Sequence, residues 1–308
     1  MDMQLPHALL EVTEPPRLYR TTERPEYFFS DQLSAQYHQE TRAIWSRWSP
    51  RPRPSFNPEL LRDLSAYCRF VAESGAEVEC LGQSMPVEYT VLASAVPGVF
   101  NLGGDLNLFI RFIETRDAAG LADYGKACVD VLYRNYLGHG LPICTISLVQ
   151  GECLGGGFEA ALSSDVIVAE RQARFGFPEI LFNLFPGMGA YSFLDRKVGR
   201  RVTEELLCTG KLYTADDMLA LGVVDCVVEP GQGEAAVAAM IKRNSRSRNG
   251  LVGIAGARRR VNGITYQELS DVVQLWVEAA LRLTCRDLKL MHRLVSRQND
   301  ILASARVH

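Results

Sequence analysis

The sequence predicts an α/β fold of repeated strand–helix units, on three observations. Short apolar runs of strand length, such as Val87–Ala95 and Ile143–Val149, alternate with longer stretches of helical periodicity. Glycine clusters follow these strands, in FNLGGD at Phe100–Asp105 and in LGGG at Leu154–Gly157. Almost all of residues 231–308 has helical periodicity. Strands that alternate with helices and end in glycine turns are typical of α/β proteins.

The chain divides into three predicted regions. Residues 1–29 are rich in Pro, Glu, Arg and Thr and lack a sustained apolar period, which predicts an extended or flexible N-terminal arm. Residues 30–230 are predicted to form the α/β core. Residues 231–308 are predicted to form a C-terminal helical region, in which apolar side chains recur every three or four positions along Gln267–Leu283.

Within the core, local signals place the elements in order. Residues 33–48 predict two strands around a turn near Gln39–Thr41. Asn57 followed by Pro58 predicts a capped helix start. Further helices are predicted in Leu108–Gly138, Phe158–Ser163, Tyr191–Val198, Thr203–Thr209 and after Thr214, and further strands at Val166–Ala169 and Val223–Val228.

Charge and cysteine content exclude several classes of protein. With 36 acidic and 33 basic residues the net charge is −3, which argues against a non-specific nucleic-acid binder. The basic runs Lys242–Arg248 and Arg258–Arg260 are either a solvated surface or a docking face for an acidic protein. The 8 cysteines show no CxxC or metal-ligand spacing, so no metal site is predicted and a reducing compartment is favoured.

The chain shows no sign of a membrane or secretory segment. No apolar run approaches the roughly 18 residues that a membrane span needs, and residues 1–16 lack a basic stretch followed by an apolar one. We therefore expect a cytoplasmic protein that does not bind membranes.

Two glutamates in apolar surroundings are the candidate acid/base pair. Glu159 opens a helix directly after the glycine triplet, and Glu179 lies among Phe177, Pro178 and Ile180. Burial raises the pKa of a carboxyl group toward neutrality, where it can both accept and donate a proton. Taken singly, Glu159 is also explained as an acid that favours a helix N-terminus, and Glu179 as an N-cap or surface acid.

The two glycine turns are together more informative than either one. A lone Gly-Gly after a strand is usually a tight turn. Two turns at separate strand ends can aim backbone N–H groups at one carbonyl oxygen, and glycine lets the backbone approach a ligand closely. Apolar side chains near the second turn are either plain core or the wall of a binding tunnel. Those we assign to substrate binding are Phe158, Phe182, Leu184 and Met188.

These motifs resemble the signature of the crotonase (enoyl-CoA hydratase/isomerase) superfamily. The matching segments are GGGFEAAL, DVIVAE and ARFGFPEILFNLFPGMGA, preceded by FNLGGD, which resembles the first oxyanion loop of that superfamily. The resemblance covers roughly residues 30–230. The run TYQELSDVVQLWVEAALRLTCRDLKLMHRLVSRQ and the variant FNLGGDLNLFI are most similar to one branch, the diffusible-signal-factor (DSF) synthases.

The resemblance implies a fold, a site and a reaction. The repeated ββα units would form a crotonase-like spiral. Helices of the C-terminal region would help form a homotrimer, although an intrachain helical cap explains their apolar stripe nearly as well. The backbone amides of Gly104 and Gly156 would form the oxyanion hole, and Glu159 and Glu179 would be catalytic.

The DSF branch implies dehydration of a 3-hydroxyacyl carrier protein to a cis-2-enoyl thioester, followed by hydrolysis that releases the unsaturated fatty acid signal. No cofactor is implied. Besides the acyl carrier protein, the receiver domain of a sensor kinase is an implied partner. Leu106-Asn107-Leu108 stands where many relatives that use coenzyme A carry a lysine, which favours a carrier-protein substrate. The alternatives are an ordinary enoyl-CoA hydratase/isomerase and a non-catalytic binding protein of the same fold.

Overall fold

The computed structural model describes residues 17–20 and 25–305, with side chains from residue 25 to residue 296. Its strands are β1 Arg17–Arg20, β2 Pro25–Phe28, β3 Leu33–His38, β4 Ala43–Trp48, β5 Glu77–Cys80, β6 Gln83–Pro86, β7 Tyr89–Ser94, β8 Val99–Asn101, β9 Cys144–Val149, β10 Glu152–Leu154, β11 Val166–Glu170, β12 Arg174–Gly176, β13 Tyr213–Thr214 and β14 Cys226–Val228. Its α-helices are α1 Pro58–Glu73, α2 Leu106–Glu114, α3 Ala118–Tyr136, α4 Gly156–Leu162, α5 Ala190–Val198, α6 Arg200–Thr209, α7 Ala215–Ala220, α8 Gly233–Asn244, α9 Arg248–Val261, α10 Tyr266–Ala280 and α11 Cys285–Ala305.

The strands of each repeating unit are divided between two sheets. The main sheet has the order β1-β2-β3-β4-β7-β9-β11-β14, and a smaller sheet has the order β13-β12-β10-β8. The strands from β4 to β14 in the main sheet are parallel to their neighbours, as are β8, β10 and β12 in the small sheet. Each consecutive pair (β7 and β8, β9 and β10, β11 and β12) gives its first strand to the main sheet and its second to the small one. This pattern confirms the predicted α/β spiral of ββα units.

Local sequence explains how the units begin and where they are buried. Asn57 caps α1 through a hydrogen bond from Leu60 N to its side-chain oxygen (2.8 Å), and Pro58 occupies the first helical position, as predicted. β9 (CTISLV) is buried at five of its six positions, because a parallel strand is covered on both faces. The predicted strand–turn–strand of residues 33–48 is the β3–β4 hairpin.

The described part of the predicted N-terminal arm belongs to the main sheet. β1 pairs antiparallel with β2, and β2 pairs with β3, with Tyr27 buried. Residues 1–16 and 21–24 of the arm lie outside the described residues. The main sheet therefore extends beyond the boundary placed at residue 30.

The predicted C-terminal helical region consists of α8 to α11. Val237 and Ile241 of α8 pack on one face of the main sheet. The apolar stripe of α10, which includes Leu269, Val273 and Trp276, is buried within the chain, where α10 packs on α3. The sequence left two interpretations of this stripe, a contact in a homotrimer and an intrachain helical cap. For α10 the structure shows the intrachain packing.

Helix α9 is attached differently, since none of its residues is buried. Arg258 and Arg259 at its end pair with Asp165, and Arg248 at its start pairs with Glu88. Part of the basic sequence is thus engaged in ion pairs within the chain. In the described residues, no helix combines the length and the apolar character that crossing a membrane requires.

Candidate active site

Three loops that carry the predicted site residues meet at one edge of the small sheet. Gly103–Gly104 follows β8, Gly155–Gly156 follows β10, and Phe177–Glu179 follows β12. These strands are adjacent and parallel, so their carboxyl ends point the same way. Ligands of α/β proteins commonly bind outside the carboxyl ends of parallel strands. The small sheet therefore brings together residues that are up to 76 positions apart (from 103 to 179).

The two glycine loops contact each other through their backbones. A Cβ atom added to Gly103 would lie 3.0 Å from Gly156 N, and Gly103 has φ +96°, so this position requires glycine. A Cβ added to Gly156 would lie 3.5 Å from Gly104 N. The two amide nitrogens are therefore close neighbours.

The amides of Gly104 and Gly156 are both available to a ligand. Gly156 is the first residue of α4, so its N–H has no partner within the helix. Within the described chain neither amide donates a hydrogen bond, whereas the Gly103 amide donates to Asn101 Oδ1 (2.8 Å). Both glycines line the same cavity. The two amides are therefore neighbouring donors, without partners in the described chain, at the wall of one cavity.

Glu159 is fixed in the first turn of α4 and is only 1% exposed. Its Oε1 accepts hydrogen bonds from the backbone N–H groups of Met188 (2.9 Å) and Ala190 (3.0 Å). Burial raises the pKa of this carboxyl to about 7, and the two N–H donors oppose that rise. Glu159 is thus held in one orientation and titrates close to neutral pH.

Glu179 lies in a short 3₁₀ turn, Pro178–Phe182, with its carboxyl group against the Cα of Gly155. A side chain at Gly155, which has φ +50°, would collide with Glu179 Oε1. In the described part of the chain Glu179 Oε2 has no hydrogen-bond partner. Burial, and then the charge of Glu159, raise the pKa of Glu179 to about 8.

The two carboxyl groups affect each other, so they titrate as a pair. The N–H donors favour the ionised form of Glu159, and the charge of Glu159 favours the neutral form of Glu179. Near neutral pH the pair therefore offers one proton acceptor and one proton donor. This is the division of roles that general acid–base catalysis needs.

Both glutamates and both glycines line one cavity of about 410 Å³. Phe182, Leu184 and Met188, which were assigned to substrate binding from the sequence, line it as well. Phe158 is the exception and corrects the prediction: it is fully buried, it stacks on Phe177 with ring centroids 4.8 Å apart, and it does not line the cavity. Phe158 therefore belongs to the hydrophobic core and not to the lining of the cavity.

Sequence reasoning missed several cavity residues. Glu152, three residues before Gly155, lines the cavity, and burial raises its pKa. Missed polar residues also lie in four helices and strands and their connections; they are Ser46, Tyr67, Thr90, Asn135, His139 and Ser163. These residues are spread from position 46 to position 163, so no spacing indicated that they meet.

The described residues that line the cavity include no lysine or arginine. The described part of the chain also has no group of three or more His, Cys, Asp or Glu side chains placed to hold a metal ion. The cavity wall is largely apolar, and its charge comes from the carboxyl groups. Such a cavity suits an acyl chain rather than a phosphate group.

Comparison with known proteins places this geometry in a family. The sequence pattern that describes the enoyl-CoA hydratase/isomerase family matches residues 64–252. The alpha subunit of the fatty acid oxidation complex of Pseudomonas savastanoi pv. phaseolicola (strain 1448A / Race 6) is 33% identical over 153 residues, which are 50% of this chain and 21% of that protein. The chain thus spans about a fifth of the length of this relative.

Solved structures show the same fold. Enoyl-CoA hydratase from Bacillus halodurans superposes with a TM-score of 0.71 at 20% identity, covering 85% of this chain and 100% of that chain. Pseudomonas aeruginosa DspI superposes with a TM-score of 0.56 at 24% identity, covering 75% of this chain and 89% of that chain. These likenesses concern the fold, whereas the family pattern covers more than half of the sequence and includes both glutamates and both glycine loops. The chain therefore belongs to the enoyl-CoA hydratase/isomerase family, within the crotonase superfamily.

Proposed function

We propose that the protein is a DSF synthase, which dehydrates a 3-hydroxyacyl carrier protein to a cis-2-enoyl thioester and hydrolyses the thioester to release the free unsaturated acid. The observation that carries the proposal is the meeting of Glu159 and Glu179 with the Gly104 and Gly156 amides on one cavity. The resemblance of the FNLGGDLNLFI segment and of the C-terminal run to the DSF branch supplies the choice of reaction.

In the dehydration step the thioester carbonyl oxygen accepts hydrogen bonds from the Gly104 and Gly156 amides. The two donors stabilise the enolate that forms when the C2 proton is removed. Glu159, which is favoured as the ionised partner, takes this proton. Glu179, favoured as the neutral partner, gives its proton to the hydroxyl group on C3, so the C3–O bond breaks and water leaves. The pair ends with its protonation states exchanged and is reset by transfer of one proton.

The same groups support hydrolysis of the thioester. An ionised carboxylate takes a proton from a water molecule while the oxygen of that water attacks C1. The two amides then stabilise the oxyanion that forms on the carbonyl oxygen. Collapse of this intermediate breaks the C1–S bond, and the carrier sulfur takes the proton from the carboxyl group and leaves as a thiol. The products are the free fatty acid and the carrier thiol.

The choice of a carrier protein over coenzyme A rests on the surroundings of the first glycine loop. Leu106 lines the cavity, and Asn107 accepts hydrogen bonds from Arg53 once its amide is oriented to satisfy both groups. Arg53 also lies 3.5 Å from Asp105, so this basic side chain is already occupied by the loop itself. The arrangement favours a substrate whose phosphate groups lie outside the cavity.

The test is incubation with 3-hydroxydodecanoyl carrier protein and detection of the free 2-dodecenoic acid by mass spectrometry. The double variant Glu159→Gln/Glu179→Gln is the control, and its product should fall to the background rate. Release of free acid by the protein and not by the variant supports the proposal. A double variant as active as the natural protein would overturn it.

The second candidate is an enoyl-CoA hydratase or isomerase, which the family membership favours. Reversible hydration of 2-enoyl-CoA without release of free acid would establish it in place of a DSF synthase. Both reactions use the same pair of donors and the same carboxyl groups, so the product, and not the loss of activity in the Gln variants, separates them.

Two predicted partners complete the proposal. Association into a homotrimer predicts three chains per particle in analytical ultracentrifugation. Binding of the receiver domain of a sensor kinase predicts a stable complex in the same experiment. Neither complex is needed for the chemistry of the cavity described above.

A further inference from the structure

Part of the cavity wall consists of polar residues that the proposed reaction does not use. Ser46 of β4 and Thr90 of β7, on adjacent strands of the main sheet, belong to this part. Tyr67 of α1 and His139 of the turn Gly138–Gly140 belong to it as well. This part, defined by Ser46, Tyr67, Thr90 and His139 and called the inner end, is polar although the rest of the wall is mostly apolar.

The polar groups of the inner end are buried and lack partners. Thr90 is 3% exposed and His139 is 6% exposed, and neither the Thr90 hydroxyl nor either ring nitrogen of His139 has a hydrogen-bond partner among the described residues. The Tyr67 hydroxyl lies near Ser46 but has no hydrogen-bond partner among the described residues. The Ser46 hydroxyl instead donates to the Val91 carbonyl (3.2 Å).

Buried polar groups without partners are rare in folded proteins, because each loses its hydrogen bonds to water without replacement. Here three such side chains come from α1, β7 and the turn that contains His139, and they face one space. A ligand group or ordered water must complete them. A plain alkyl chain that displaced such water would leave the same groups unpaired, and this lowers affinity.

The charge of the inner end limits the kind of group that it accepts. Burial and the charge of Arg134 lower the pKa of His139 to about 3, so its ring is neutral near pH 7 and offers one donor and one acceptor. No lysine or arginine lines the cavity in the described chain. An anionic group would therefore find no counter-charge, whereas a hydroxyl group can both donate and accept.

We propose that the inner end, formed by Tyr67, Thr90 and His139, binds a neutral oxygen-bearing group, a hydroxyl in the simplest case, at the far end of the substrate's acyl chain. This inference rests on the proposed function in that it takes an acyl thioester as the substrate of the cavity. It goes further by naming the chemical class of the chain: an acyl group that carries a second, remote hydroxyl in addition to any on C3.

The test measures binding by calorimetry, so that it does not depend on turnover. The probes are pantetheine amides, which cannot be hydrolysed, of decanoic and dodecanoic acid and of their ω-hydroxy counterparts. We expect the better ω-hydroxy compound to bind about tenfold more tightly than the alkyl compound of the same length, the equivalent of one well-made hydrogen bond.

Two substitutions locate the preference. Thr90→Val and Tyr67→Phe remove only hydroxyl groups, and together they should reduce the tenfold preference to about twofold or less. Removal of an unpaired buried hydroxyl should not destabilise the fold, so the thermal midpoint of the double variant should equal or exceed that of the natural protein. The matched control is Tyr191→Phe, at an exposed tyrosine away from the cavity, which should retain the full preference.

The outcomes separate this inference from the proposed function. Equal binding of alkyl and ω-hydroxy compounds, or a preference that survives in the double variant, would overturn the inference and leave the proposed function standing. If none of the amides binds, the cavity does not take acyl chains, and both ideas fail together.

Discussion

The two turns that carry the glutamates are built in opposite ways. Glu159 stands in an α-helix and is held by the amides of Met188 and Ala190. Glu179 stands in a short 3₁₀ turn, and its Oε2 is without a partner among the described residues. The first arrangement fixes a negative charge, and the second leaves a carboxyl group free to exchange a proton. In the proposed reaction, these different surroundings favour Glu159 as the proton acceptor and Glu179 as the proton donor.

The largest expected effect comes from removing either carboxyl group. Glu159→Gln and Glu179→Gln should each lower the rate of product formation by roughly 10²- to 10⁴-fold, the usual contribution of a general acid or base. The rate of the double variant should be only slightly lower than that of the less active single variant, because the two groups act as a unit. The rates are measured by mass spectrometry of the released acid.

The control for these variants is Glu73→Gln, at an exposed glutamate of α1, which should retain the natural rate. If only one of the two cavity variants loses activity, the comparison between the turns fails, and a single carboxyl group performs the reaction.

A somewhat smaller effect is expected from Gly156→Ala. The added methyl group has room, with its nearest neighbours at 3.5 Å, but one of these neighbours is Gly104 N. It should obstruct the approach of a carbonyl oxygen and lower the rate by about 10²-fold, the scale of one lost oxyanion donor. The thermal midpoint should stay within a few degrees of the natural value.

Gly103→Ala is the informative contrast, since φ of +96° and a contact of 3.0 Å to Gly156 N make it structurally strained. We expect this variant to lose stability, by about 1–3 kcal/mol. A Gly156→Ala variant with the full natural rate would show that the two amides do not hold the reacting oxygen.

The pH dependence of the rate should be bell-shaped. The pKa values of the pair, about 7 for Glu159 and about 8 for Glu179, place the form with one ionised and one neutral carboxyl between these values. The rate should therefore fall by about tenfold per pH unit well outside this interval, as measured by kcat/KM against pH. A rate that is constant from pH 5 to pH 9 would contradict the assignment.

The last expected effect concerns stability rather than rate. Both pKa values are raised above the ordinary glutamate value of 4.5, so the folded protein holds these protons more tightly than the unfolded chain does. The stabilisation is fully present below about pH 4.5 and is lost as the pH rises through about 7 to 8. Each pKa unit by which one group is raised lowers the free energy of unfolding by about 1.4 kcal/mol, so the fall for the pair should be on the order of several kcal/mol across this window. Chemical denaturation at several pH values measures it.

The Glu159→Gln/Glu179→Gln double variant is the reference for that measurement, because an amide does not titrate. Its free energy of unfolding should fall less steeply over the same window. Equal slopes for the natural protein and the variant would mean that the two carboxyl groups are not buried as the fold places them.

Sequence patterns predicted the parts of the fold that depend on local signals. The Asn57 cap, the β3–β4 hairpin and the apolar stripe of α10 lie where periodicity and turn residues placed them. The small sheet was missed as a separate layer, because β8, β10 and β12 have only three residues each and no pattern of their own.

The site was predictable to the extent that its residues follow recognisable motifs. Glycine clusters and acids in apolar stretches indicated the two glycine loops, Glu159 and Glu179, and the family resemblance implied Gly104 and Gly156 within the loops. The structure brings all four residues to one cavity. The donors to Glu159 lie 29 and 31 residues away in sequence, and no local pattern connects them to it. The polar inner end was equally hidden, since each of its members comes from a different element.

The division of each ββα unit between two sheets has a further consequence for how this protein can change. The eight-stranded layer contains strands of up to six residues, including the buried β9, and these strands do not carry the loops of the site. The loops of the site follow three neighbouring strands of three residues each, β8, β10 and β12. A longer or exchanged loop would therefore change the residues that line the cavity, while the main sheet keeps its structure. New reactions can arise in this fold by small insertions in the loops, without changes in the main sheet.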